Sequence, residues 1–220
     1  MLVRASRNDT VIVKNHSNVD QPDKLKLTPL HLAATEGYND VVELLIKNGC
    51  DINACDINGR NALHYACMQK VEHGYINILS GLSRYRRQEH YHKEVVVLLL
   101  QNKCDANQQD TFGQIPLHIA CETYTSHRYL RCMTDIVKLL LESGCDINKC
   151  DNLHRSPFLV ACEKNGYKSE EIVKTLVEKN CDVNIKDSNG QTGLEICNSK
   201  GFTWKAEILL QSQNLENEAS

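Results

Sequence analysis

Apolar residues recur along the chain in four short stripes: DVVELLI at 40–46, EVVVLLL at 94–100, DIVKLLL at 135–141 and EIVKTLV at 171–177. Within the first, Val41, Val42, Leu44 and Leu45 stand at helical spacing and mark one side of an amphipathic α-helix. Ahead of each stripe lies a second apolar segment: TPLHLAA at 28–34, NALHYAC at 61–67, IPLHIAC at 115–121 and SPFLVAC at 156–162, with TGLEICN at 192–198 as a fifth. Thr28 suits a helix N-cap, and Pro29 suits a first turn, where no N–H is required. Leu30, Ala33 and Ala34 then fall on one face, with alanines that let a neighbouring helix come close. The pattern predicts pairs of helices.

Polar marks punctuate the pairs. GCDIN at 49–53 returns as KCDAN at 103–107, GCDIN at 144–148 and NCDVN at 180–184. Gly49 and Gly144 suit the left-handed residue that ends a helix, and DINGR, DTFGQ and DSNGQ place Gly59, Gly113 and Gly190 where a turn wants positive φ. From Thr28 to Asn61 the interval is 33 residues; the later ones, to Ile115, Ser156 and Thr192, are 54, 41 and 36. One such unit cannot bury its apolar side alone, whereas stacked neighbours share a continuous core.

A T-P-L-H-x-A mark on a period of about 33 resembles the ankyrin repeat, here over roughly residues 17–210. The resemblance implies an all-α repeat solenoid: in each unit a β-turn finger, an inner helix, a short loop and an outer helix. It divides the chain into a degraded N-terminal cap at 1–22, repeat 1 at 23–55, repeat 2 at 56–109, repeat 3 at 110–150, repeat 4 at 151–186, a C-terminal capping repeat at 187–210 and a polar tail at 211–220. Repeats 2 and 3 exceed the period, with insertions at about 71–93 and 124–132 between inner and outer helix. Repeat 4 carries Leu159 where the mark has histidine and His154 where the turn has glycine, a substitution expected to strain the turn by about 1 kcal/mol.

Composition narrows the alternatives. Lys and Arg number 25 against 28 Asp and Glu, a balance that points to neither nucleic acid nor an anionic membrane. The longest aliphatic run, Val95 to Leu100, is far shorter than the roughly 20 residues a membrane helix needs. No secretory h-region follows Met1, and the 11 cysteines are odd in number and lie in apolar surroundings. Free thiols in a reducing cytoplasm or nucleus are therefore expected. Cys50, Cys104, Cys145 and Cys181 share one repeat position; Cys67, Cys121 and Cys162 share another, with Cys197 one residue earlier in its segment, so they read as small core residues. His64-x-x-Cys67 and His118-x-x-Cys121 resemble half a zinc site, but both histidines belong to the repeated mark and no four ligands converge. No metal and no cofactor is expected.

Phosphate-cradling glycine loops, H-E-x-x-H and a nucleophile paired with a base are absent from the sequence, so no catalysis is expected. The resemblance implies recognition of another protein, by a chain monomeric on its own, on a concave surface of finger tips and inner helices. Its candidate positions are Asn58, Arg60, Phe112, Gln114, Leu153, Arg155, Asn189 and Gln191 at the tips, and Glu36, Met68, Gln69, Glu122, Glu163 and Lys164 on the inner helices. Phe112 and Leu153 stand out as apolar tips, which either face solvent or fold back on adjacent fingers. The insertions offer a second candidate: Arg84, Tyr85, Arg86, Arg87, His90, Tyr91 and His92, with Arg128, Tyr129 and Arg131. Guanidinium groups beside aromatic rings suit an RNA or other polyanion, a protein contact, or a solvated charged face. The resemblance also implies that Asn53, Asn107, Asn148 and Asn184, each eight residues after a leucine, are positions for hydroxylation.

Overall fold

Caps start the short helices where the repeated mark places them. Asn61 accepts the His64 N–H on its side chain, and Ser156 accepts that of Leu159, each at 3.3 Å. In the last repeat Glu195 replaces the histidine of the mark and closes a capping box, its carboxylate accepting the Thr192 N–H at 2.7 Å. The structure, a computed structural model, describes residues 19–68, 83–122, 130–164 and 169–218, with backbone alone at 83–91, 130–132 and 211–218. Ten α-helices and no strand occur among the described residues. These residues group into two units that divide between Thr111 and Phe112.

In the first unit the inner helices α1 (Pro29–Glu36) and α3 (Ala62–Cys67) pack on one another, as do the outer helices α2 (Asn39–Lys47) and α4 (Ser83–Gln101). Leu30, Ala33, Val42, Leu45, Leu63, Val95, Val96 and Leu99 are buried between them. Each full burial of a large aliphatic side chain is worth about 1.5–3 kcal/mol. The second unit repeats the arrangement with α5 (Pro116–Glu122), α7 (Pro157–Glu163) and α9 (Gly193–Ser199) inside. Its outer helices are α6 (Leu130–Glu142), α8 (Ser169–Glu178) and α10 (Thr203–Glu218). All of the inner-helix cysteines are buried, as are Cys104, Cys145 and Cys181, while Cys50 is half-buried.

Three boundaries differ from the sequence reading. The insertion of repeat 2 is helical from Ser83, because α4 starts about three turns ahead of its apolar stripe. That of repeat 3 joins α6 at Leu130, and α10 runs to Glu218 through residues expected as a polar tail. Of the cap expected at 1–22, residues 1–18 lie outside the described residues. His154 takes the left-handed turn position with φ +55°, as its alignment with the turn glycines requires. Lys26 does the same in repeat 1, with φ +59°.

Candidate functional site

Each finger is a turn organised by one aspartate. Asp56 Oδ1 accepts the N–H groups of Asn58 and Arg60, both at 2.8 Å. Asp151 does the same for Leu153 and Arg155, and Asp187 for Asn189 and Gln191, at 2.8–2.9 Å. Burial alone would raise the Asp56 carboxyl, but the Arg60 and Asn58 donors and the Tyr65 hydroxyl at 2.7 Å hold it below the ordinary carboxylate range.

Neighbouring fingers join by backbone. In the first unit Ile57 N–H donates to Leu25 O at 3.0 Å and Thr111 N–H to Asn58 O at 2.8 Å. In the second, Asn152 N–H donates to Phe112 O at 2.9 Å and Ser188 N–H to Leu153 O at 3.0 Å. These bonds occupy the main chain at the tip and leave the side chain two residues after the aspartate pointing outward. Phe112 is 60% exposed and Leu153 is exposed beside it, so these tips do not fold back on adjacent fingers. The first unit presents two exposed apolar residues on neighbouring fingers, Leu25 at the same position and Ile57 one residue after its aspartate, and Leu32 of α1 is exposed as well. Sequence reading missed this pair. Leu25 occupies the position of Phe112 and Leu153, but its finger carries Lys26 where the readily aligned turns have glycine.

Several of the remaining groove candidates are engaged rather than open. Gln114 is only 7% exposed, so it is a core residue of its finger and not part of a binding surface. Arg60 Nε donates to Asp110 Oδ2 at 3.1 Å. Arg155 forks between Asp151 at 2.8 Å and Glu163 at 3.1 Å, locking finger to inner helix, and Lys164 reaches across to Glu122 at 3.1 Å. Glu36 and Met68 are half-buried, Asn58, Asn189 and Gln191 lie at the tips, and Gln69 lies outside the described residues.

The basic cluster loses one member. His92 is 9% exposed, with Nε2 3.1 Å from Thr35 O and its ring packed on Gly37, so it anchors α4 to the first repeat instead of joining a surface patch. Glu94 helps by accepting from Asn39 Nδ2 at 2.9 Å. Arg84, Tyr85, Arg86, Arg87, His90 and Tyr91 lie on the backbone of α4 and Arg131 on that of α6; Arg128 and Tyr129 lie outside the described residues. Of the loop asparagines, Asn53, Asn107 and Asn184 are exposed and Asn148 half-buried. Asn53 Oδ1 accepts the Asp105 N–H, and Asn148 Oδ1 that of Asp182, each at 2.8 Å. Both nitrogens of His31 are taken by backbone partners, Thr28 N–H and Arg60 O, each at 3.0 Å.

A family profile for ankyrin repeats (3 copies) matches residues 2–90, 87–187 and 129–219. Potassium channel AKT2/3 of Arabidopsis thaliana is 42% identical over 59 residues, 27% of this chain and 7% of that protein. NF-kappa-B inhibitor alpha of Gallus gallus is 30% identical over 89 residues, 40% of this chain and 25% of that protein. Rabankyrin-5 of Homo sapiens is 34% identical over 127 residues, 56% of this chain and 10% of that protein. The chain thus spans a quarter or less of these relatives' own length.

Proposed function

Because the chain belongs to the ankyrin-repeat family, whose repeats are generally protein–protein interaction modules, we propose that it is a non-catalytic scaffold that binds a partner protein through its finger tips. The observation that carries this reading is the pairing of exposed apolar tips: Leu25 with Ile57 in one unit, Phe112 with Leu153 in the other. Apolar side chains held outward by a hydrogen-bonded backbone are preorganised anchors, and binding energy concentrates in a few such residues. Ion-paired Arg155, Lys164 and Glu122 then serve to hold the fingers and inner helices in place around them. No helix of the described residues is long and apolar enough to cross a membrane.

The test is affinity purification with quantitative mass spectrometry, comparing wild type with Phe112→Ser/Leu153→Ser and with a variant lacking 71–91. A partner that is lost with the tip variant, and that tolerates rising salt, supports the proposal. A partner kept by the tip variant, lost with the deletion and released steeply by salt points to polyanion binding through α4. Hydroxylation of Asn53, Asn107, Asn148 or Asn184 is carried only by the family resemblance; intact mass of protein from its native cell reads it directly.

A further inference from the structure

The inner helices of repeats 4 and 5 meet at an unusually close point. Gly193 opens α9 where the repeated mark has proline, and a Cβ there would lie 2.4 Å from Phe158 Cε1 and 3.1 Å from Cys162 Sγ. Only hydrogen fits, so α9 sits directly on α7. Cys197 follows Gly193 by four residues and so stands on the same face, one turn along. Cys162 and Cys197 are both fully buried, and their thiols are hydrogen-bonded to each other.

A third group completes the cluster. Lys205 of α10 is fully buried, and its Nζ donates to Ala161 O at 2.7 Å and Lys164 O at 2.6 Å, the carbonyls on either side of Cys162. The ammonium lies 5.0 Å from the Phe202 ring centroid and 5.1 Å from that of Trp204. Lys200 adds a second positive charge nearby, with Nζ 2.9 Å from Glu163 O.

These surroundings divide the two sulfurs. Donation to Cys197, with burial in support, keeps the Cys162 thiol protonated. The same bond draws Cys197 below the ordinary thiol range against its burial, helped by the charges of Lys205 and Lys200. Elsewhere burial acts the other way: Cys50 is pushed up to about 11, and Cys104, Cys145 and Cys181 to about 12.

We propose that Cys162 and Cys197 are a peroxide-responsive dithiol that closes into a disulfide between α7 and α9, with Lys205 as the positioning residue beside the pair. The Cys197 sulfur attacks one oxygen of hydrogen peroxide; an S–O bond forms as the O–O bond breaks, and the departing hydroxide takes up the Cys197 proton and leaves as water. The Cys162 sulfur then attacks the sulfenic sulfur; the S–S bond forms, the S–O bond breaks, and the oxygen leaves as a second water with the Cys162 proton. Two thiols give up two electrons in total and the peroxide accepts both. Local opening of the α9–α10 pair admits the oxidant. The bond ties repeat 5 to repeat 4 covalently, so oxidation rigidifies the α7–α9 contact.

The full chain is treated with dilute hydrogen peroxide, its remaining thiols are alkylated, and it is digested with trypsin without reduction. Cys162 falls in the peptide 156–164 and Cys197 in 187–200, each with a single cysteine. The expected product is these two peptides joined, lighter than their sum by two hydrogens, reversed by dithiothreitol and absent from Cys197→Ala. Lys205→Met slows the reaction by about tenfold and moves its rate profile to higher pH, while Lys205→Arg, which keeps the charge, restores it. Recovery of both peptides singly alkylated or as sulfinic acids, or cross-links that join other cysteines instead, overturns the proposal. A shift in rate reversed by the arginine variant separates positioning from mere support of the fold. If Lys205→Met does not fold, the wild-type and Cys197→Ala maps decide the matter alone.

Discussion

His31 of the first repeat places its Nε2 3.0 Å from the carbonyl oxygen of Arg60 in the second, so a buried side chain closes a hydrogen bond onto the next finger. Its other nitrogen accepts the Thr28 N–H at 3.0 Å, an arrangement that puts the ring proton on Nε2. His118 repeats the relation with Arg155 O at 2.9 Å. Replacing His31 with leucine, the residue that repeat 4 carries naturally as Leu159, strips the buried Thr28 N–H of its acceptor and leaves Arg60 O with the Asp56 N–H alone. The expected loss is about 1–3 kcal/mol, read as a lower urea midpoint with unchanged slope. An unaltered midpoint would show that the bond adds nothing beyond packing.

The same histidine makes the fold sensitive to acid. Burial, opposed by the Arg60 carbonyl and nearby carboxylates, holds His31 below its ordinary value of 6.5. In the unfolded chain it takes up a proton near 6.5, while in the folded chain it does so only at lower pH. The unfolded state therefore binds more protons in that interval, and stability falls as pH drops through it. Thermal midpoints at pH 7.5 and 5.5 should diverge more for wild type than for His31→Leu.

Two substitutions in neighbouring turns should act in opposite directions. His154 holds φ +55°, so His154→Gly relieves a left-handed side chain and stabilises by about 0.5–1 kcal/mol. Gly113 holds φ +75°, and a Cβ there would come within 2.9 Å of the Asn152 backbone nitrogen. Gly113→Ala therefore adds a backbone clash to the conformational penalty and should destabilise by more than His154→Gly gains. Chemical denaturation of both variants tests the ordering, and equal shifts would show that the close approach yields freely.

Most of the repeat plan was legible because it is periodic. Pro29, Pro116 and Pro157 open helices where the mark places them, and the buried cysteines sit at its small-residue positions. What escaped reading departs from the period or depends on a distant neighbour. Lys26 takes a turn conformation usually left to glycine, which hid the kinship of Leu25 with Phe112. Gln114 and His92 are polar by type, and only packing in the folded chain buries them. Lys205 is the clearest case: a lysine in an amphipathic helix reads as a solvated residue, and the two carbonyls that hold it lie 41 and 44 residues earlier.

That buried lysine carries the last prediction. Burial lowers Lys205 from 10.5 to about 8, with Cys162 and Cys197 pulling it back and Lys200 adding to the fall. Below pH 8 the ammonium is charged in both folded and unfolded chains, and the folded chain bears the full desolvation penalty. Between about 8 and 10.5 the folded chain releases its proton first, so the unfolded state binds more protons and stability rises with pH, by at most about 1.4 kcal/mol per unit. Other buried thiols push the opposite way above pH 9, since they ionise only on unfolding, but outside the Cys162–Cys197 pair they are common to wild type and Lys205→Met and cancel in the difference. Methionine also strips the Ala161 and Lys164 carbonyls of their donor, a loss that neutral lysine avoids because its amine still donates. The stability advantage of wild type over Lys205→Met should therefore widen from pH 7.5 to 10 in urea titrations under reducing conditions. A difference that stays flat across that range would mean that the ammonium keeps its proton in the core, and that its two carbonyl bonds outweigh its desolvation.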